Sequence, residues 1–214
     1  MTTTAGRKVP LRTKMSFALG ASTEGITGWA LTGFSFVVYS VIFGMPGTLV
    51  GLAISASILI DGFTDPYIGY ISDRWRSKWG RRHPFIFFAA VPLAASIFCV
   101  FSPPDFLLAA STEELTYLGY TATSTQWGLF LWLFVFASLY KFFFTCYFLP
   151  HLALGSELSD DYLERTKVFR YNTFASMISG AILAQLFYQV FFSDGPQLGL
   201  DTSYFAAFIA IVGG

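Results

Sequence analysis

The sequence predicts an all-α membrane protein, on three observations: long apolar runs, few charges, and alternating basic and acidic connections between the runs. Of its 214 residues 54% are hydrophobic and 12% are charged, and the mean hydropathy is +0.57. A soluble domain carries roughly twice that charged fraction. The 25 Phe, 11 Tyr and 5 Trp agree, because aromatic rings pack against acyl chains and sit at headgroup level. A net charge of zero carries no nucleic-acid signal.

A hydrocarbon core about 30 Å thick takes roughly 20 apolar residues per helix. That ruler predicts helices near 16–43, 48–72, 84–101, 127–152 and 171–192, and a sixth over 204–214, after a cytoplasmic segment over 1–15. The first run, at about 28 residues, is too long for the apolar region of a cleaved signal, so it is expected to stay in the membrane. Residues 204–214 are too few to cross, and the favoured expectation is a sixth helix cut short. The alternative is a segment that ends against a partner. Cys99 and Cys146 both lie in apolar runs and are expected to be buried, inert thiols and not a disulfide.

Orientation follows from the basic residues, since short cytoplasmic loops hold the excess of Lys and Arg. Arg7, Lys8, Arg12 and Lys14 precede the first helix. Arg74, Arg76, Lys78, Arg81 and Arg82 lie between the second and third, and Arg165, Lys167 and Arg170 between the fourth and fifth. The opposite connections hold only acids: Asp105, Glu113, Glu114, Asp194 and Asp201. The N-terminus is therefore expected in the cytoplasm, and the alternation supports the helix count independently of hydropathy.

A charge at the bilayer centre costs at least ~2.5–3.5 kcal/mol, so intramembrane ionisable residues are functional candidates. The chain has Glu24, Asp61, Asp65 and Lys141. Asp61 and Asp65 are spaced i, i+4 and share one helix face, with Thr64 beside them. These are hard oxygen ligands, suited to a small cation such as Na⁺; without a metal ion, proximity and desolvation favour holding a proton instead. The competing structural reading is that the acids only neutralise Lys141. At ~1.5 Å of rise per residue, Lys141 lies level with Asp61, and Glu24 at a depth similar to Asp65. A Lys141 link to either aspartate is within reach. Pro66 frees a backbone carbonyl beside the carboxylates, and the small residues of the first helix allow close helix approach.

Two ordered stretches carry a resemblance. The first is Asp61-Gly-Phe-Thr-Asp65-Pro66-Tyr-Ile-Gly69-Tyr-Ile-Ser-Asp73-Arg74, followed by Lys78-Trp79-Gly80-Arg81-Arg82-His83-Pro84. The second is Leu149-Pro150-His151 through Glu157, Asp160 and Asp161 to Arg165-Thr166. Together they resemble the glycoside-pentoside-hexuronide cation symporters of the major facilitator superfamily, and the basic spacer also resembles that of sucrose transporters. The resemblance implies the N-terminal six-helix bundle of the major facilitator fold, with a C-terminal six-helix half completing the transporter, covalently or as a separate chain. It implies a bacterial inner membrane, a sugar or glycoside as substrate, Na⁺ or H⁺ as coupling ion and no further cofactor.

By that resemblance Asp61, Thr64 and Asp65 form the coupling-cation site, and Asp73, Arg74, Arg81 and Arg82 form a cytoplasmic latch. Arg–carboxylate pairs that break and re-form between two packings are a physical means of switching. The chain departs from relatives of the melibiose permease type on the substrate side. Their first-helix acid falls at Gly25 or Glu24, their fourth-helix acid at Phe148, and their fifth-helix arginine at Asn172, with Arg170 two residues earlier. The substrate-side candidates are Glu24, Lys141, Arg170 and Asn172. A second class of function is a non-transporting membrane scaffold or assembly partner derived from a transporter half. An enzyme is disfavoured, because His83 and His151 stand alone and no nucleophile constellation accompanies them.

Overall fold

The structure, a computed structural model, describes residues 8–75, 77–78, 82–109, 113–117 and 119–192. Five long helices fill it: α1 Leu11–Ile42, α2 Gly47–Arg74, α3 His83–Phe101, α4 Ser124–Glu157 and α5 Tyr162–Phe192. A hairpin of β1 Glu114–Tyr117 and β2 Tyr120–Thr123 joins α3 to α4. The five helices overlap the five longer apolar runs, and the run over 204–214 lies outside the described residues. Among the described residues α1 to α4 are long and apolar enough to cross a membrane, as an integral membrane protein requires. Helix α5 is 31 residues long but opens with Glu164, Arg165, Lys167 and Arg170 and falls outside that set.

Local chemistry places the helix starts. Pro10 and Pro46 precede α1 and α2 in an extended conformation, which proline's fixed φ favours. Thr123 and Gln126 form a reciprocal capping box on α4, satisfying two orphan donors of its first turn. Asp161 caps α5, its Oδ1 accepting from the Leu163 amide at 2.9 Å. Helix α1 begins at Leu11, so it takes in the last residues of the segment 1–15 set apart in the sequence. It also contains two π-helical stretches, Ala30–Phe34 and Val38–Ile42. Hydroxyls serve backbone carbonyls around them: Thr32 donates to Gly28 O at 2.7 Å, and Ser35 to Leu31 O.

Helix α1 packs along α5, while α4 packs along both α2 and α3. The main apolar core joins Ile26 to Tyr39 of α1, Leu49 to Ala53 of α2, Leu93 to Phe101 of α3, Leu129 to Tyr140 of α4, and Leu183 and Phe187 of α5. It therefore lies toward the end of the bundle that carries the hairpin. Two polar ties stitch α3 into it: Tyr39 OH donates to Val100 O at 2.7 Å, and Trp132 Nε1 to Cys99 O at 2.8 Å. Such buried donors hold position because leaving them unmade is costly. Cys99 and Cys146 are both free thiols, and each is half-buried, where the sequence reading expects full burial.

The α1–α5 contact is close because Gly25 of α1 lies against the backbone of α5. A Cβ at that position would stand 2.8 Å from the Ser176 carbonyl carbon and 2.5 Å from Ser179 Oγ, and would overlap the Ser176 carbonyl oxygen. Ser179 Oγ in turn donates to Ser22 O across the interface at 3.2 Å. At the basic end, Tyr147 OH donates to Gly20 O at 2.7 Å, and the His151 ring stacks between Phe17 and Tyr147. These contacts tie α4 to α1.

Candidate functional site

Helices α2 and α4 run in the same direction, so residues one turn apart on one meet residues one turn apart on the other. Lys141 Nζ lies 2.8 Å from Asp61 Oδ2, and Thr145 Oγ1 donates to Asp65 Oδ1 at 2.7 Å. Gly69 faces Leu149 a turn further on, with the same offset between the chains of residues. The i, i+4 aspartates are thus met by an i, i+4 cation and hydroxyl. Asp61 and Lys141 are largely enclosed, their side chains 20% and 18% exposed, while Asp65 is on an exposed stretch of α2. Asp61 Oδ1 is buried with no hydrogen-bond partner among the described residues. Thr64 turns its hydroxyl to its own helix, 3.4 Å from Asp61 O.

The substrate-side candidates separate. Glu24 lines a cleft of about 400 Å³ together with Trp29, Thr32, Phe144, Ser176 and Met177. Among the described residues it has no ion pair. Lys141 is engaged by Asp61 and is not part of that lining. Asn172 is buried one turn before Ser176, with its Oδ1 lacking a hydrogen-bond partner among the described residues. Arg170 is exposed and lies outside the cleft.

At the basic end Arg82 bridges two helices. Its Nη2 lies 3.3 Å from Asp73 Oδ1 on α2, and its Nη1 lies 2.9 Å from Glu157 Oε1 on α4. The guanidinium side chain is 11% exposed and its partners are 66% and 48% exposed. Arg74 is occupied elsewhere, bonded to Tyr70 OH and stacked over its ring at 4.1 Å. Arg81 lies outside the described residues. A second cluster holds the starts of α1 and α5: Glu164 accepts from Lys14 at 2.7 Å and from Lys167 at 2.7 Å. Lys14 and Glu164 are both buried. Hydrogen bonds from Lys14 first, and from Lys167 second, pull the Glu164 carboxyl down to about 2.

Sequence reasoning marks neither Thr145 nor the Lys14–Glu164 link, and counts Glu157 only as part of a resembling stretch. The i, i+4 spacing of Lys141 and Thr145 opposite Asp61 and Asp65 is a signal that points to Thr145. No local pattern points to Lys14–Glu164, whose partners are 150 residues apart.

An ion pair between two helices long and apolar enough to cross a membrane marks a functional site in a membrane protein. Residues 16–213 match the family described as MFS/sugar transport protein, and the chain belongs to that family. It is 31% identical over 184 residues to an uncharacterized symporter of Synechocystis, a match that covers 86% of this chain and 31% of that protein. It is 26% identical over 180 residues to the inner membrane symporter YicJ of Escherichia coli, covering 82% of this chain and 35% of YicJ. The sodium-dependent lysophosphatidylcholine symporter 1 of Mus musculus is 27% identical over 176 residues, 79% of this chain and 29% of the relative. The chain spans about a third of the length of these relatives, which are symporters and not enzymes.

Proposed function

We propose that the chain is the N-terminal half of a cation-coupled secondary transporter of a sugar or glycoside, with Na⁺ or H⁺ as coupling ion. The observation that carries this reading is the charged rung between α2 and α4, Asp61–Lys141 beside Asp65–Thr145. In low dielectric such charges persist only while paired, so a change in what pairs with Asp61 and Asp65 is felt as a change in how α2 and α4 pack. The Glu24 cleft supplies one wall of a substrate pathway: an acceptor carboxylate, the hydroxyls of Thr32 and Ser176, and the aromatic faces of Trp29 and Phe144. A second six-helix half supplies the opposite wall, and rocking of the halves opens the midplane site to each side in turn. The Arg82 bridge to Asp73 and Glu157 acts as the latch of one of the two states. The setting is the inner membrane of a bacterium, with the N-terminus in the cytoplasm.

The test is uptake by the complete transporter reconstituted in liposomes, with a panel of labelled glycosides. Asp65→Asn or Asp61→Asn should abolish cation-driven accumulation while passive exchange is reduced far less, because the driving ion loses a charged ligand and the substrate wall remains. Gradient-driven accumulation at the wild-type level in both variants would leave the rung as a structural feature only.

A further inference from the structure

We propose that Lys141 is the resident cation of the α2 carboxylate site and makes the protein indifferent to Na⁺. The inference rests on the transport reading and adds the ion choice to it. A bound Na⁺ is held by several oxygens at once, and several of the oxygens gathered here are already engaged. Asp61 Oδ2 contacts the Lys141 ammonium at 2.8 Å. Asp65 Oδ1 accepts a hydrogen bond from the Thr145 hydroxyl at 2.7 Å, so that hydroxyl is turned toward the carboxylate as a donor. The Thr64 hydroxyl faces the Asp61 carbonyl of its own helix. Among the described residues no third acidic, His or Cys side chain joins the pair to complete a metal-binding group.

Charge decides between the two cations. An ammonium and Na⁺ each carry one positive charge, and both lower their energy by contact with the same carboxylate. Seating Na⁺ on the buried, unpartnered Asp61 Oδ1 while Lys141 stays on Oδ2 would place two like charges on one carboxylate inside an apolar bundle. On Asp61 the metal ion must therefore displace the lysine, and the lysine is tethered. A tethered competitor acts at an effective concentration in the millimolar range or above, and Glu24, without an ion pair among the described residues, stands apart in its own cleft. Lysine is suited to the role as a compact point charge on a flexible stem. The sodium dependence of the mouse relative is thus not expected of this chain.

The experiment is a cation titration of the complete, purified transporter, exchanging choline chloride for NaCl at constant ionic strength and pH and reading thermal stability. Wild type should show no saturable response to Na⁺. Lys141→Met leaves Asp61 without its counter-charge, and should acquire saturable stabilisation with at least a tenfold gain in apparent Na⁺ affinity, ~1.4 kcal/mol. Lys141→Arg keeps the charge and should stay indifferent. Lys141→Met combined with Asp61→Asn removes the uncompensated anion and should be indifferent too. Saturable stabilisation of wild type by Na⁺ overturns the inference whether or not any variant folds, and so does a folded Lys141→Met that ignores Na⁺. The outcome is separate from the transport reading, which stands or falls on accumulation by Asp65→Asn.

Discussion

Gly25→Ala should loosen the whole α1–α5 interface, and the size of the effect can be worked from the geometry. The added Cβ would lie 2.8 Å from the Ser176 carbonyl carbon, where ordinary contact begins at about 3.4 Å. The helices must then part by more than half an ångström, and further to clear the carbonyl oxygen. The obstacle is backbone, which cannot rotate away as a side chain can. Overpacking of this kind costs ~1–3 kcal/mol, or a fall in Tm of ~2–12 °C for a protein of this size. Gly28, three residues further along α1, gives the control, since a Cβ there meets nothing within 4 Å. Gly28→Ala should be neutral or gain up to ~1 kcal/mol from helix propensity, although it borders the cleft and is free to alter transport. The assay is thermal unfolding of both variants in one detergent. Equal stability of the two alanine variants would refute the close-approach argument.

Three further outcomes are expected. Asp61→Asn alone should lose ~3–5 kcal/mol by stranding a buried ammonium, and adding Lys141→Met should restore most of it; a double variant no more stable or abundant than the single would show that the pair is not energetically coupled. Glu164 has a folded pKa drawn down from 4.5 to about 2, so its stabilising contribution is complete above about pH 4.5 and drains away as the pH falls toward about 2. The difference in Tm between wild type and Glu164→Gln should therefore shrink on acidification through that window, and a difference that grows or stays flat would contradict the Lys14 link. Finally, cysteines introduced at Lys78 and Glu113 should react with an impermeant thiol reagent from opposite sides of the membrane, Lys78 from the cytoplasm. Labelling of both from one side would overturn the helix assignment.

What the sequence makes legible is what depends on one helix or on simple depth. Long apolar runs mark the helices because the bilayer imposes a length, and level counting along two helices suffices to bring Lys141 beside Asp61. The Asp73–Arg82 pair is legible because both residues sit in one short ordered stretch. Contacts that depend on how distant segments dock are not legible in this way. Lys14 and Lys167 read as ordinary basic flank residues, and nothing local distinguishes them from Arg12 or Arg165 until α1 and α5 are packed. The hairpin escapes for another reason: a length-and-hydropathy ruler does not register four-residue strands. Its signs are the Thr and Tyr of 116–121 around Gly119, at φ +76°, a conformation that glycine adopts without strain. Trp127 closes the hairpin onto α4, bonding Leu115 O at 3.1 Å and meeting Tyr117 edge to face.

The two π-helical stretches of α1 are to a helix what dislocations are to a crystal. Each packs an extra residue into a turn without ending the helix, and such bulges are frequent at functional sites. Both defects, Ala30–Phe34 and Val38–Ile42, lie on the hairpin side of Trp29, whereas the Lys14–Glu164 anchor lies at the other end of the helix. The irregular winding is thereby confined to one end of α1. The first of the two stretches carries Thr32 into the wall of the cleft, so a widened turn shapes that wall, while the regularly wound stretch that carries Glu24 and Gly25 keeps its seat on α5.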